Sequence, residues 1–189
     1  ELGVQDSVSF RLIGQSDISV VAYAQGSAMK FQDVQQENTT LWVIPELVEH
    51  ITPSWFDLNW WRDRGQQIDS APGRGESYFL EASIAGRPLP LVWRHYRRGG
   101  LVARFSEDSY LWQGMASSRP YRELQLTADL LERGLPVPKP LAAQIVREGL
   151  FYKADLLTQR LENVTSMADA LVQDPQSVDW HSIGETIAH

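Results

Sequence analysis

Residues Leu91 to Gly100 read as a strand with a cation at its centre, and that limits the folds open to the chain. Val92, Trp93 and Tyr96 favour a pleated, partly buried surface. Arg97-Arg98-Gly99-Gly100 closes the run. On strand alternation Val92, Arg94 and Tyr96 share one face, and Trp93 and His95 share the other. Arg94 therefore lies inside an apolar strand, where an unpaired guanidinium is costly. It needs an anion, either a carboxylate from elsewhere in the chain or the phosphate of a ligand. The stretch from Ala82 to Ser106 holds Arg87, Arg94, Arg97, Arg98 and Arg104 with no Asp or Glu, although the chain carries a net charge of -7. Such a basic island on an acidic protein concentrates anionic ligands. The overall acidity argues against nucleic acid as a partner.

The flanking segments supply a fold. Leu41 to Ile44 is a short apolar strand. Thr52-Pro53-Ser54 starts a helix expected to run to about Arg64 and stop at Gly65. Trp55, Leu58 and Trp61 form one stripe of that helix, and Phe56, Trp60 and Arg64 the next. A face this aromatic serves a core, an interface or a lipid surface. Gly73-Arg74-Gly75 is a turn leading into a strand, and it reads more readily as a plain hairpin turn than as a loop whose backbone approaches phosphate. Gly86-Arg87-Pro88 joins that strand to the arginine strand. Phe105 to Met115 reads as a short helix and loop. Gln32 to Thr40 reads as a polar stretch of low order.

Ser118-Arg119-Pro120 begins the clearest helix, with Ser118 as cap, a Tyr121, Leu124, Ala128, Leu131 stripe, and Gly134 as stop. Glu123 lies at the edge of the apolar face, either solvated or reaching back to the arginine strand. A rigid proline segment, Leu135 to Pro140, precedes two strands, Leu141–Ile145 and Leu150–Leu157. Then come a connector, a short helix capped by Ser166, and a last helix from about Asp179. The order is strands, one inserted helix, strands, then helices. That is α+β with an antiparallel sheet, and it disfavours an alternating βαβ layout.

The 43% hydrophobic content supports a packed core, and the absence of cysteine excludes disulfides and thiolate chemistry. No secretory signal pattern or membrane-spanning run is present. Residues 1–28 are expected to be an upstream extension, with strand character at Ile18 to Ala24. Residues 29–160 form the main sheet-bearing lobe with an N-terminal helix, and residues 161–189 begin a helical region.

Five segments together resemble the lipopolysaccharide core kinase family, within the protein-kinase-like fold. They are Gly73-Arg74-Gly75-Glu76-Ser77-Tyr78-Phe79-Leu80, Trp93 to Gly100, Ser118-Arg119-Pro120-Tyr121-Arg122-Glu123, Gly134-Leu135-Pro136-Val137-Pro138, and Tyr152-Lys153-Ala154-Asp155-Leu156-Leu157-Thr158. The resemblance implies a kinase N-terminal lobe followed by the first helices of the C-terminal lobe. It implies ATP and Mg2+ as cofactors, and transfer of phosphate to the 4-hydroxyl of a 3-deoxy-D-manno-octulosonic acid (Kdo) residue. The acceptor would be of the Kdo-lipid IVA type, met at an anionic membrane surface on the cytoplasmic face of a Gram-negative inner membrane. It places Gly73, Arg74 and Gly75 over the nucleotide phosphates, Arg94 on those phosphates, Glu123 in a pair with Arg94, and Leu157 to Leu161 along the base. Arg94 replaces the lysine of the general kinase pattern, and the turn lacks a third glycine. The catalytic Asp and metal-binding Asn are expected beyond His189, so these 189 residues alone are expected to be inactive. The alternative is a kinase-like module that binds nucleotide or anionic lipid without catalysis. For lipid docking, Trp55, Trp60, Trp61, Arg97 and Arg98 are the expected surface.

Overall fold

A computed structural model describes residues 7–10, 18–22, 29–71, 76–97, 108–161, 164–165 and 167–188. Among the described residues, ten strands form one antiparallel sheet. They are β1 (Ser7–Phe10), β2 (Ile18–Ala22), β3 (Gln32–Gln36), β4 (Thr39–Val43), β5 (Asp69–Ala71), β6 (Glu76–Ile84), β7 (Arg87–His95), β8 (Tyr110–Leu111), β9 (Pro140–Glu148) and β10 (Phe151–Gln159). The order across the sheet is β1-β2-β3-β4-β9-β10-β7-β6-β5, with β8 pairing one end of β10. The helices are α1 (Leu58–Arg62), α2 (Arg119–Glu132), α3 (Met167–Gln173) and α4 (Trp180–Ala188). The α+β class is as the sequence indicated.

Hairpin chemistry sets the register. Ile84 pairs with Arg87 across a two-residue turn in which Ala85 and Gly86 both have positive φ. Such a turn matches the twist of its strands. It places the β6–β7 reversal just ahead of the expected Gly86-Arg87-Pro88. The core is richest where β4 and β9 meet. Leu41, Trp42, Val43, Leu141, Ala142, Ala143 and Ile145 are all buried there. Small Ala143, on the sheet face that carries Trp42, lets α2 approach closely, and its Leu124 and Ala128 are fully buried. Gly134, at φ 81, ends that helix as expected.

The structure corrects the sequence expectations in four places. Gln32 to Thr40 is not a low-order stretch: Gln32–Gln36 forms β3, held between β2 and β4. The helix expected from Pro53 to Arg64 is two pieces, a 3-10 turn at Pro53–Phe56 and the short α1. Asp57 is extended between them and its carboxylate accepts the Asn59 N–H at 2.9 Å, which restarts the helix. Ser118 sits at the cap position of α2 but its hydroxyl donates to the Met115 carbonyl at 2.7 Å. The α2 N–H of Arg119 is instead satisfied by the Tyr152 hydroxyl at 3.1 Å, which ties the helix to β10. Of Phe105 to Met115, the described residues supply β8, a loop and the first residue of a 3-10 turn, Met115–Ser117. Ser166, the expected cap of α3, lies outside the described residues.

The aromatic face of the 53–62 segment turns inward. Trp55 and Trp61 are buried, and the Trp61 indole N–H donates to the Trp55 carbonyl at 2.7 Å. Phe56 meets Trp93 edge-on at 6.2 Å. Trp55 and Trp61 are therefore core residues, not membrane-facing ones. Trp60 is partly buried under the Arg64 guanidinium at 3.6 Å.

One core group opposes folding at neutral pH. Asp33 on β3 is 2% exposed, and its Oδ2 has no hydrogen-bond partner among the described residues. Burial pushes its carboxyl up to about 7, against a smaller downward pull from the Trp42 indole. The raised value means that ionisation disfavours the native state. Stability is undiminished below the ordinary value of 3.8 and falls as pH rises to about 7. Asp33→Asn is expected to raise stability by roughly 1–3 kcal/mol at pH 8, with the gain shrinking towards pH 4. Urea unfolding at both pH values checks this, and an equal effect at both contradicts it.

Candidate active site

Arg94 lies on β7 with β6 on one side and β10 on the other, opposite Ser77 and Leu156. Two strands thus fix its backbone. Its Nη2 donates to Glu123 Oε1 of α2 and, at 3.2 Å, to the Tyr96 hydroxyl. The Tyr96 hydroxyl in turn donates to Glu123 Oε2. The three side chains close a ring between sheet and helix. Burial works against the Arg94 cation, but Tyr96 and Glu123 outweigh it and hold its pKa above the usual arginine value. The anion that the sequence demanded for Arg94 is therefore a carboxylate of this chain.

That pairing leaves capacity. Arg94 Nε is buried without a hydrogen-bond partner and is closed to a ligand in this arrangement, whereas Nη1 has no partner among the described residues. The side chain is still 40% exposed. A phosphate is the kind of ligand that satisfies a planar donor set of this sort.

A groove opens on the same face of the sheet. It has a volume of about 630 Å³ and is lined by Phe79 and Glu81 of β6, Pro90 and Val92 of β7, Pro138, Gln159–Leu161 and Val164. Val92 precedes Arg94 by one strand repeat on one face, so the Cα of the groove-lining Val92 and that of Arg94 stand about 7 Å apart along the strand. The Arg160 guanidinium lies 4.4 Å from the Phe79 ring. The N–H groups of Gln159 and Arg160 are committed to the carbonyls of Lys139 and Pro90, at 2.9 Å each. Leu161 is the first residue after them whose N–H has no described partner.

The opposite face of β7 is equally organised. Buried Asp155 accepts from the Trp93 indole N–H at 2.8 Å, contacts His95 Nδ1 at 2.8 Å, and is reached by Gln144 Nε2 at 3.4 Å. The Asp155 hydrogen bond raises the His95 pKa despite burial. Arg97 pairs with Glu76 at 2.6 Å.

The expected site residues fall into three groups. Arg94 and Glu123 are brought together. Leu161 lines the groove and is exposed, whereas the Leu157 side chain is fully buried in the core and is withdrawn from the groove. Leu157 pairs in β10 with Trp93 on one side and Ala142 on the other, so a central ladder position explains its burial. Gly73, Arg74, Gly75 and Arg98 lie outside the described residues. The strands flanking that glycine segment pair Ala71 with Ser77, and Ser77 with Arg94. Sequence reasoning missed Tyr96 and Tyr152. Tyr96 was visible as the next residue on the Arg94 face; nothing in the sequence marked Tyr152 as a helix anchor. Among the described residues no group of three or more His, Asp or Glu is placed to hold a metal ion, so no Mg2+ ligand is assigned to them.

The chain is similar to a known kinase family over more than half of its length. The family described as Lipopolysaccharide kinase (Kdo/WaaP) family matches residues 58–189. A 3-deoxy-D-manno-octulosonic acid kinase of Photobacterium profundum is 37% identical over 153 residues, covering 80% of this chain and 63% of the relative. The protein of the same name from Xanthomonas campestris pv. campestris is 45% identical over 133 residues, 70% of this chain and 51% of the relative. That of Xanthomonas oryzae pv. oryzae is 43% identical over 143 residues, 76% and 55% respectively. The matched part of the chain thus spans between 51% and 63% of the length of these relatives. No solved structure matches the chain significantly.

Proposed function

The chain belongs to the lipopolysaccharide kinase (Kdo/WaaP) family, and from that premise we propose that the whole protein transfers phosphate from ATP to the 4-hydroxyl of a Kdo residue on a Kdo-lipid IVA type acceptor. The observation that carries the reading is Arg94, tied to Glu123 through Nη2 while its side chain stays 40% exposed, one strand repeat from a groove whose lining includes Phe79, Pro90 and Val92. A nucleotide has that layout, a flat apolar base joined to an anionic tail.

In the proposed reaction the groove takes the base between Phe79, Val92 and Leu161, and the Leu161 N–H serves the base edge. Arg94 holds the phosphates and offsets their charge. Glu123 and Tyr96 keep its guanidinium from turning away, so little reorganisation is needed when nucleotide arrives. Mg2+, when bound with ATP, neutralises the phosphates further. The catalytic Asp and Asn implied by the resemblance are assigned to chain outside these residues, which alone hold nucleotide without transferring phosphate. The lobe division at residues 29–160 and 161–189 belongs to the same proposal. So does action at the anionic cytoplasmic face of the inner membrane. None of the described helices is long and apolar enough to cross a membrane, and Arg97 and Arg98 remain as cationic contacts.

The test uses the full-length protein with γ-labelled ATP and a Kdo-bearing lipid A precursor. Label is expected on the acceptor. Nucleotide binding without labelled acceptor would instead make the protein a non-catalytic nucleotide-binding module.

A further inference from the structure

We propose that Tyr96 is a positioning residue for nucleotide binding: its hydroxyl bridges Arg94 and Glu123 and so keeps part of the guanidinium free for phosphate. The inference rests on the reading of Arg94 as the phosphate-holding residue.

Tyr96 follows directly on β7, and its backbone N–H donates to the Ala154 carbonyl at 3.0 Å, which pins its backbone to β10. Its side chain is buried. The Arg94 and Arg119 guanidinium carbons each lie 5.1 Å from its ring centroid. Burial and the Glu123 hydrogen bond push the phenol well above its usual range, so the hydroxyl stays a proton donor at neutral pH.

The hydrogen-bond count gives the hydroxyl its role. Arg94 Nη2 has two N–H groups, one directed to Tyr96 and one to Glu123 Oε1. Glu123 Oε2 takes its proton from Tyr96. Each carboxylate oxygen thus has one donor, and both lie on the Nη2 side. A carboxylate free of the tyrosine tends towards the two-point pairing that arginine and carboxylates favour. That pairing draws a second guanidinium nitrogen into the contact and sets Glu123 in competition with phosphate. By holding Oε2, Tyr96 limits Glu123 to one nitrogen.

The experiment compares full-length wild type, Tyr96→Phe, Glu123→Gln and the double variant. Tyr96→Phe keeps the ring and removes only the hydroxyl. It is expected to raise the KM for ATP about tenfold while kcat at saturating ATP stays within about twofold. In the Glu123→Gln background the same change is expected to add less than about twofold, because no carboxylate is left to restrain. An unchanged KM, a loss confined to kcat, or multiplying effects in the double variant overturns the inference. If Tyr96→Phe does not fold, a fluorinated tyrosine at position 96 keeps the packing and acidifies the hydroxyl. The pH at which KM for ATP begins to rise then moves down, and an unmoved profile overturns the inference. Failure of the underlying reading looks different, since wild type then binds no ATP or Arg94→Ala binds it as wild type does.

Discussion

Arg94→Ala in the full-length protein is expected to lower kcat/KM for ATP by about a hundredfold or more, with the fold retained. The loss has two parts. The charge-assisted contacts to phosphate go, at roughly 1.5–3 kcal/mol per hydrogen bond. Glu123 also keeps its negative charge with no guanidinium beside it, which repels the incoming phosphates. The fold survives because Arg94 is 40% exposed and the β7 ladder does not depend on its side chain. Arg94→Lys is expected to recover part of the activity, since the point charge remains but the planar donor set does not. Steady-state kinetics beside a thermal melt checks this. Activity within about threefold of wild type for Arg94→Ala removes Arg94 from the mechanism.

Asp155→Ala is expected to destabilise the protein by about 3–5 kcal/mol, a large share of the roughly 5–15 kcal/mol typical of a domain. Asp155 is 4% exposed and serves three donors from two neighbouring strands. Its removal strands the Trp93 indole N–H in the core and leaves His95 without its main partner. Asp155→Asn keeps an acceptor oxygen and is expected to cost less than half as much. The pH dependence carries a second signature. The His95 pKa is raised in the folded state, so its contribution is fully present below 6.5 and is lost as pH rises through the folded value. Asp155→Ala is expected to flatten the stability profile above pH 6.5. Urea titrations across that range measure both effects, and an unaltered midpoint contradicts the account.

Much of the site was legible because charge in an apolar strand has few resolutions. Arg94 required an anion; Glu123, at the edge of a helix face, was open to solvation or to that role, and the kinase resemblance pointed to the pair. The alternation on β7 was legible for the same reason: Arg94 and Tyr96 meet Glu123, while Trp93 and His95 meet Asp155. What escaped the sequence was decided by tertiary contacts. The Gln-rich β3 has no apolar alternation to announce it, and its place is set by the strands on either side. Trp55 and Trp61 look alike in a core and at a lipid surface; their contacts with one another decided the matter. Leu157 shares its segment with Leu161, but one sits in the ladder and the other past its end. The role of Tyr152 at the α2 terminus joins residues 33 positions apart, beyond the reach of local capping rules.

The central claim is that Arg94, steadied from α2, grips the anionic tail of a nucleotide whose base lies in the adjacent groove. Calorimetric affinities of ATP and adenosine for full-length wild type and Arg94→Ala test it most directly. The account predicts that wild type binds ATP at least about tenfold more tightly than adenosine, and that this advantage vanishes in Arg94→Ala while adenosine affinity is unchanged. An ATP advantage that persists without Arg94 contradicts it.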